Sequence, residues 1–139
     1  MNIIKEKLGS NGLARNISCA TTLLAVVTLI VYIIYGVTFN YFDTVVCIFL
    51  IAAAALSAIH FYVNTKTTGI CNLLSVMCIS GATALFGLNS YPVWADEVNG
   101  ITMYGSRGGL APVITLLVLL LVSAIAEIVS CFIPEKEGN

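Results

Sequence analysis

The feature that most constrains this chain is the apolar run at residues 110–133, LAPVITLLVLLLVSAIAEIVSCFI, which carries a single charged side chain, Glu127. A helix over this run, rising about 1.5 Å per residue, covers about 36 Å, enough to cross a hydrocarbon core of about 30 Å with some tilt. Pro112 falls in the first turn, where proline is tolerated, and Pro134 closes the far end. An acid inside such a span is costly to bury, which makes it a functional-site hypothesis by default.

The rest of the composition agrees with a bilayer. Charged residues make up 9% of the chain and hydrophobic ones 59%, whereas soluble domains carry about a quarter charged. Three further runs, 17–38, 44–63 and 70–88, are long enough to be spans. The expected fold is therefore an all-α integral membrane protein, a single domain over residues 1–139 forming an antiparallel four-transmembrane-helix bundle. Links at 39–43 and 64–69 are too short for anything but reversal of the chain. The first run is longer than a signal-peptide core and no small-x-small site follows it, so it is expected to persist as a membrane helix.

Several function classes drop out. A net charge of -1 with six dispersed basic residues gives no electrostatic footing for nucleic acid. Cys19, Cys47, Cys71, Cys78 and Cys131 all lie in apolar runs rather than loops, which suits small buried hydrophobes and not a disulfide framework. With one histidine and no zinc-ligand spacing, no metal or other cofactor is expected. There is no nucleotide-binding loop and no nucleophile beside a base, so the chain reads as non-enzymatic.

Within each run the small and polar residues recur at helical spacing. Ser18, Thr21, Thr22, Ala25, Thr28, Tyr32, Tyr35 and Gly36 share one face of the first span. Ala53, Ser57, His60 and Asn64 form a row on the second, and Asn72, Ser75, Ile79, Ala82, Thr83, Phe86 and Gly87 on the third. These faces should meet other helices, because small residues let helix backbones approach closely in lipid.

Orientation follows from the basic residues. With four spans both termini share a side, which holds Lys5, Lys7, Arg15, Lys66 and Lys136, against Arg107 alone on the other. The positive-inside rule puts both termini in the cytoplasm, with the plasma membrane of a bacterium as the expected location. The longest connection, 89–109, then faces outward as a short extracytoplasmic loop or β-hairpin, the hairpin suggested by Asn99-Gly100 between short apolar stretches. Its Tyr91, Trp94, Asp96, Glu97, Tyr104 and Arg107 are the candidate partner or ligand surface.

Counting from the helix ends, Glu127 lies about 9 Å inside the cytoplasmic edge, and His60, Asn64 and Asn72 fall near that edge on neighbouring spans. Ser123 and Ser130 share the Glu127 face. These six form an expected intramembrane polar cluster. It is readable as a proton- or cation-responsive site with His60 as relay, as a hydrogen-bonded register lock in which Glu127 donates to His60, Asn72 or a backbone carbonyl, or as a contact for a partner's basic residue. Small multidrug transporters are similar in size and carry a membrane glutamate, but theirs lies in the first helix and this one in the last. Quinone-linked thiol oxidoreductases, claudin-like and tetraspanin-like proteins need cysteines outside the membrane that this chain lacks. The expectation is a membrane subunit, embedded in the lipid bilayer and accessory to a larger membrane-protein transport or secretion assembly. The alternative is a small self-associating ion- or proton-coupled transporter or channel using Glu127.

Overall fold

A computed structural model describes residues 12–63, 66–101, 103 and 109–133, and among them it is entirely helical, without strands. The elements are α1 (Gly12–Thr38), α2 (Thr44–Val63), a 3₁₀ turn (Lys66–Thr68), α3 (Gly69–Asn89), a short α4 (Tyr91–Asn99) and α5 (Leu110–Phe132). Four helices are long and apolar enough to cross a membrane: α1, α2, α3 and α5. Helix α1 begins five residues ahead of the apolar run, because Gly12 to Asn16 continue its hydrogen bonding.

The four long helices pack in a closed ring, α1 on α2, α2 on α3, α3 on α5 and α5 on α1. Neighbours run in opposite directions. Thr22 meets Ser57 across α1 and α2, Ser75 reaches the carbonyl of Ala53 across α3 and α2, Asn72 meets Ser130 across α3 and α5, and Thr28 meets Ser123 across α1 and α5. Buried positions on every helix recur at three- and four-residue steps, so the interior is a stack of layers, each with one residue from each helix. From the end bearing the 3₁₀ turn, the layers are Ser18, His60, Asn72 and Ser130; then Thr21, Ser57, Ser75 and Glu127; then Ala25, Ala53, Ile79 and Ala124. Deeper still lie Thr28, Leu50, Ala82 and Leu120, followed by Tyr32, Val46, Phe86 and Leu116. The outward faces are aliphatic, with Leu23, Ile30 and Ile34 on α1, Ile48 and Ile51 on α2, Leu73 and Met77 on α3, and Val118, Leu121 and Ile125 on α5 all exposed. Polar side chains inside an apolar shell are the reverse of a soluble bundle.

The far end is held by one carboxylate. Asp43 Oδ1 accepts hydrogen bonds from the backbone of Val45 (2.9 Å) and Val46 (3.4 Å), capping α2. Its other oxygen accepts from the Asn89 side chain at the end of α3, and its backbone N–H and C=O both meet the Tyr32 hydroxyl of α1 at 3.0 Å. Tyr32 and Tyr35 in turn present their rings edge-on to Phe86 at 6.2 and 5.8 Å. Three helices therefore converge on Asp43.

The connection after α3 differs from the hairpin expected around Asn99-Gly100. Residues 91–99 are helix α4, and Gly100 is its left-handed cap at φ 66°. The N–H of Gly100 bonds to Glu97 O (3.3 Å) and that of Ile101 to Asp96 O (3.0 Å), closing the helix end. A glycine at positive φ suits both a hairpin turn and a helix C-terminus, so the dipeptide alone does not choose between them. Pro92 in the first turn of α4 is the signal that favoured the helix.

Replacing Asp43 with Ala is expected to lower stability by about 2 kcal/mol, through loss of the α2 cap and of the tie to Asn89. Asp43→Asn, which keeps a capping oxygen, should lose less. Thermal unfolding of the detergent-solubilised protein measures both, and equal losses would contradict the capping role.

Candidate functional site

Glu127 is the centre of the candidate site because of what does not reach it. It is 1% exposed, yet neither carboxyl oxygen has a hydrogen-bond partner. Buried polar atoms are almost always paired, so an unpaired acid demands an explanation. The hydroxyls of Ser57 on α2 and Ser75 on α3 face it across the layer, but neither closes to hydrogen-bond geometry.

The hydrogens of those hydroxyls are committed elsewhere. Ser75 donates to the backbone carbonyl of Ala53 at 2.9 Å. Thr22 donates to Ser18 O at 2.9 Å and lies 3.0 Å from Ser57 Oγ. A hydroxyl has one hydrogen, so with that of Thr22 on Ser18, the Thr22–Ser57 contact takes its hydrogen from Ser57. Both serines then turn lone pairs toward a carboxyl that has only lone pairs when ionised. The layer is polar but empty of donors.

The neighbouring layer contains most of the remaining expected cluster. Asn72 donates to Ser130 Oγ at 3.3 Å, joining α3 to α5 one turn from Glu127. His60 Nδ1 lies 3.0 Å from the carbonyl of Thr68, tying α2 to the 3₁₀ turn. Ser123, on the other side of Glu127, sits 2.7 Å from Thr28 of α1. The expected bond from Glu127 to His60, Asn72 or a backbone carbonyl is therefore not made, because each of those groups is engaged at another level or out of reach. Asn64 lies outside the described residues. Sequence reasoning singled out Glu127, His60, Asn72, Ser123 and Ser130, but left Ser57, Ser75 and Thr22 out of the cluster. Their positions on the inward rows were the available signal, since Ser57 lies one turn from His60 and Ser75 one turn from Asn72, and Thr22 lies on the polar face of α1.

The outer surface is divided. Tyr91 is 70% exposed and Glu97 is exposed on α4, whereas Trp94 packs partly against the hydrophobic core and Asp96 is half-buried. Tyr104 and Arg107 lie outside the described residues. Among the described residues no group of three His, Cys, Asp or Glu side chains comes together to hold a metal ion.

Comparison with protein-family models, with curated proteins and with solved structures finds no match for this chain.

Substituting Glu127 separates a lock from an open site by sign. A carboxyl that locked the helices together would make Glu127→Gln cost about 1–3 kcal/mol. With acceptors facing it, the Gln amide gains donors for Ser57 and Ser75, so the variant is expected to be as stable as the parent or more so. Ser75→Ala, which loses the bond to Ala53, should fall by about 1 kcal/mol. Thermal unfolding in detergent reads all three.

Proposed function

We propose that this chain is an integral membrane protein with α1, α2, α3 and α5 across the bilayer, and that it works as a small ion- or proton-coupled transport protein with Glu127 as the coupling group. The observation that carries this reading is a buried carboxyl faced by hydroxyl lone pairs: it becomes satisfied only when a positive charge sits between the acceptors. Binding and release of that charge is the change a coupling residue has to undergo. A register lock has no use for an acid left unbonded.

In this reading the ends near the 3₁₀ turn face the cytoplasm. Arg15, above the ring of Phe61 at 5.5 Å, marks that side among the described residues, and Lys5, Lys7, Lys66 and Lys136 add to it in the sequence. A second reading, an accessory subunit of a larger transport or secretion assembly, is favoured by the closed aromatic and aliphatic layers beyond Thr28, which leave a single copy no pore. Tyr91 and Glu97 on α4 would then meet the partner.

The test is flux into liposomes containing the full-length protein alone, driven by a proton or sodium gradient. Glu127→Gln is expected to reduce flux to the level of empty liposomes, and Glu127→Asp to retain part of it. Wild-type flux that Glu127→Gln leaves unchanged would overturn the coupling role. Flux that appears only when a co-purifying permease is added back would select the accessory reading.

A further inference from the structure

The buried side-chain atoms without a partner among the described residues are both oxygens of Glu127 and Ser18 Oγ. They fall in adjacent layers at the same end of the bundle. Resting on the reading of Glu127 as an ion-coupling group, we propose that its occupant is one small positive charge, a proton or a dehydrated cation of sodium size, and that in this conformation of the bundle the charge reaches it from the end bearing the 3₁₀ turn, the other end having to open before release across the membrane.

The charge follows from the site's own inventory. Glu127 is the one acid in the two polar layers, so a single positive charge neutralises it and a divalent ion would leave an excess in a medium that tolerates none. The oxygen set of one carboxyl and two hydroxyls suits a hard ion, and the metal-holding clusters that soft ions need do not occur among the described residues. The size follows from packing: Glu127, Ser57 and Ser75 are fully buried, and Ala25, Ala53 and Ile79 close the layer behind them. An organic cation finds no space there.

The direction of entry follows from what lies on each side. Toward the 3₁₀ turn the charge meets one polar side chain from every long helix, Ser18, His60, Asn72 and Ser130, and these are 3–8% exposed. Their oxygens can replace water around a passing proton or cation. In the other direction the layers become Leu50, Ala82 and Leu120 and then Tyr32, Val46, Phe86 and Leu116, where the Thr28–Ser123 pair is bonded to itself and the Tyr32 hydroxyl is held by the backbone of Asp43. Moving a charge through those layers strips its hydration with nothing in exchange. The other titratable groups on the packed helices are Arg15, Cys19, Tyr32 and Tyr35 on α1, Cys47, His60 and Tyr62 on α2, Cys71 and Cys78 on α3 and Cys131 on α5. Of these Cys131 is exposed on the outer side of α5, Arg15 is stacked on Phe61 and His60 holds Thr68.

Infrared difference spectroscopy of the full-length protein in liposomes tests this. The carboxyl band of Glu127 is identified by its absence in Glu127→Gln. It is then followed through a pH step without sodium, and through replacement of N-methylglucamine by sodium at constant pH. Loss of the band on the pH step alone identifies a proton, and loss on adding sodium identifies the cation; either supports the proposal. The rate at which the band shifts after transfer to deuterated buffer reports access. Asn72→Leu and the milder Ser130→Ala should each slow that rate about tenfold, the value of one lost buried hydrogen bond, while Thr28→Val and Tyr32→Phe should leave it unchanged. Slowing by the second pair as large as by the first, or none by the first, would overturn one-sided entry while leaving the coupling role intact. A band that answers neither pH nor sodium in the wild type would overturn the coupling role as well.

Discussion

A hydroxyl on a helix has one hydrogen, and in this bundle most of those hydrogens are returned to the helix's own backbone. Thr21 and Thr22 donate to Ser18 O, Thr83 to Ile79 O and Ser90 to Phe86 O, and of Thr28 and Ser123 one donates to its own helix, at Leu24 O or Leu119 O, while the other donates across to its partner hydroxyl. Such bonds let polar side chains live in an apolar setting without needing one another. They also fix what is left over. The seam between the helices is lined by oxygen lone pairs, so it is hydrophilic in composition and poor in donors. An acid inserted into that seam finds acceptors on every side, and the unpaired state of Glu127 follows from this arithmetic.

The layers convert that local rule into a direction. Each long helix contributes one inward residue per turn, and along the axis the type changes from Ser, His, Asn and Glu through Ala and Ile to Leu, Tyr and Phe, with the Thr28–Ser123 pair as the exception. The two ends are consequently held by different forces. One is held by cross-helix side-chain bonds, Asn72 to Ser130 and Ser57 to Thr22, each worth about 1 kcal/mol net. The other is held by aromatic packing around Tyr32 and Phe86 and by Asp43, which gathers α1, α2 and α3 at one carboxylate. The polar end has more freedom to rearrange, since hydrogen bonds can change partners without opening a void, whereas interlocked aromatic rings cannot shift without creating one.

Much of this was legible without coordinates. Segment length and hydropathy gave four apolar helices, and the three- and four-residue spacing of Ser18, Thr21, Ala25, Thr28 and Tyr32, or of Asn72, Ser75, Ile79, Ala82 and Phe86, picked out the faces that are in fact buried. Of the loop and hairpin expected between α3 and α5, the hairpin gives way to α4, because Asn99-Gly100 satisfies the backbone demands of a turn and of a helix C-terminus equally well.

The sequence by itself determined that the chain consists of long apolar helices with hydrophilic inner stripes and an acid near one end, because helix length and periodicity are properties of consecutive residues. Which hydroxyl faces that acid was decided only by the tertiary structure. Ser57 and Ser75 belong to two other helices, and their level against Glu127 depends on how far each helix slides and turns against its neighbours. The direction of a hydroxyl's single hydrogen likewise depends on the nearest acceptor in space, and for Ser75 that acceptor is a carbonyl on the adjacent helix.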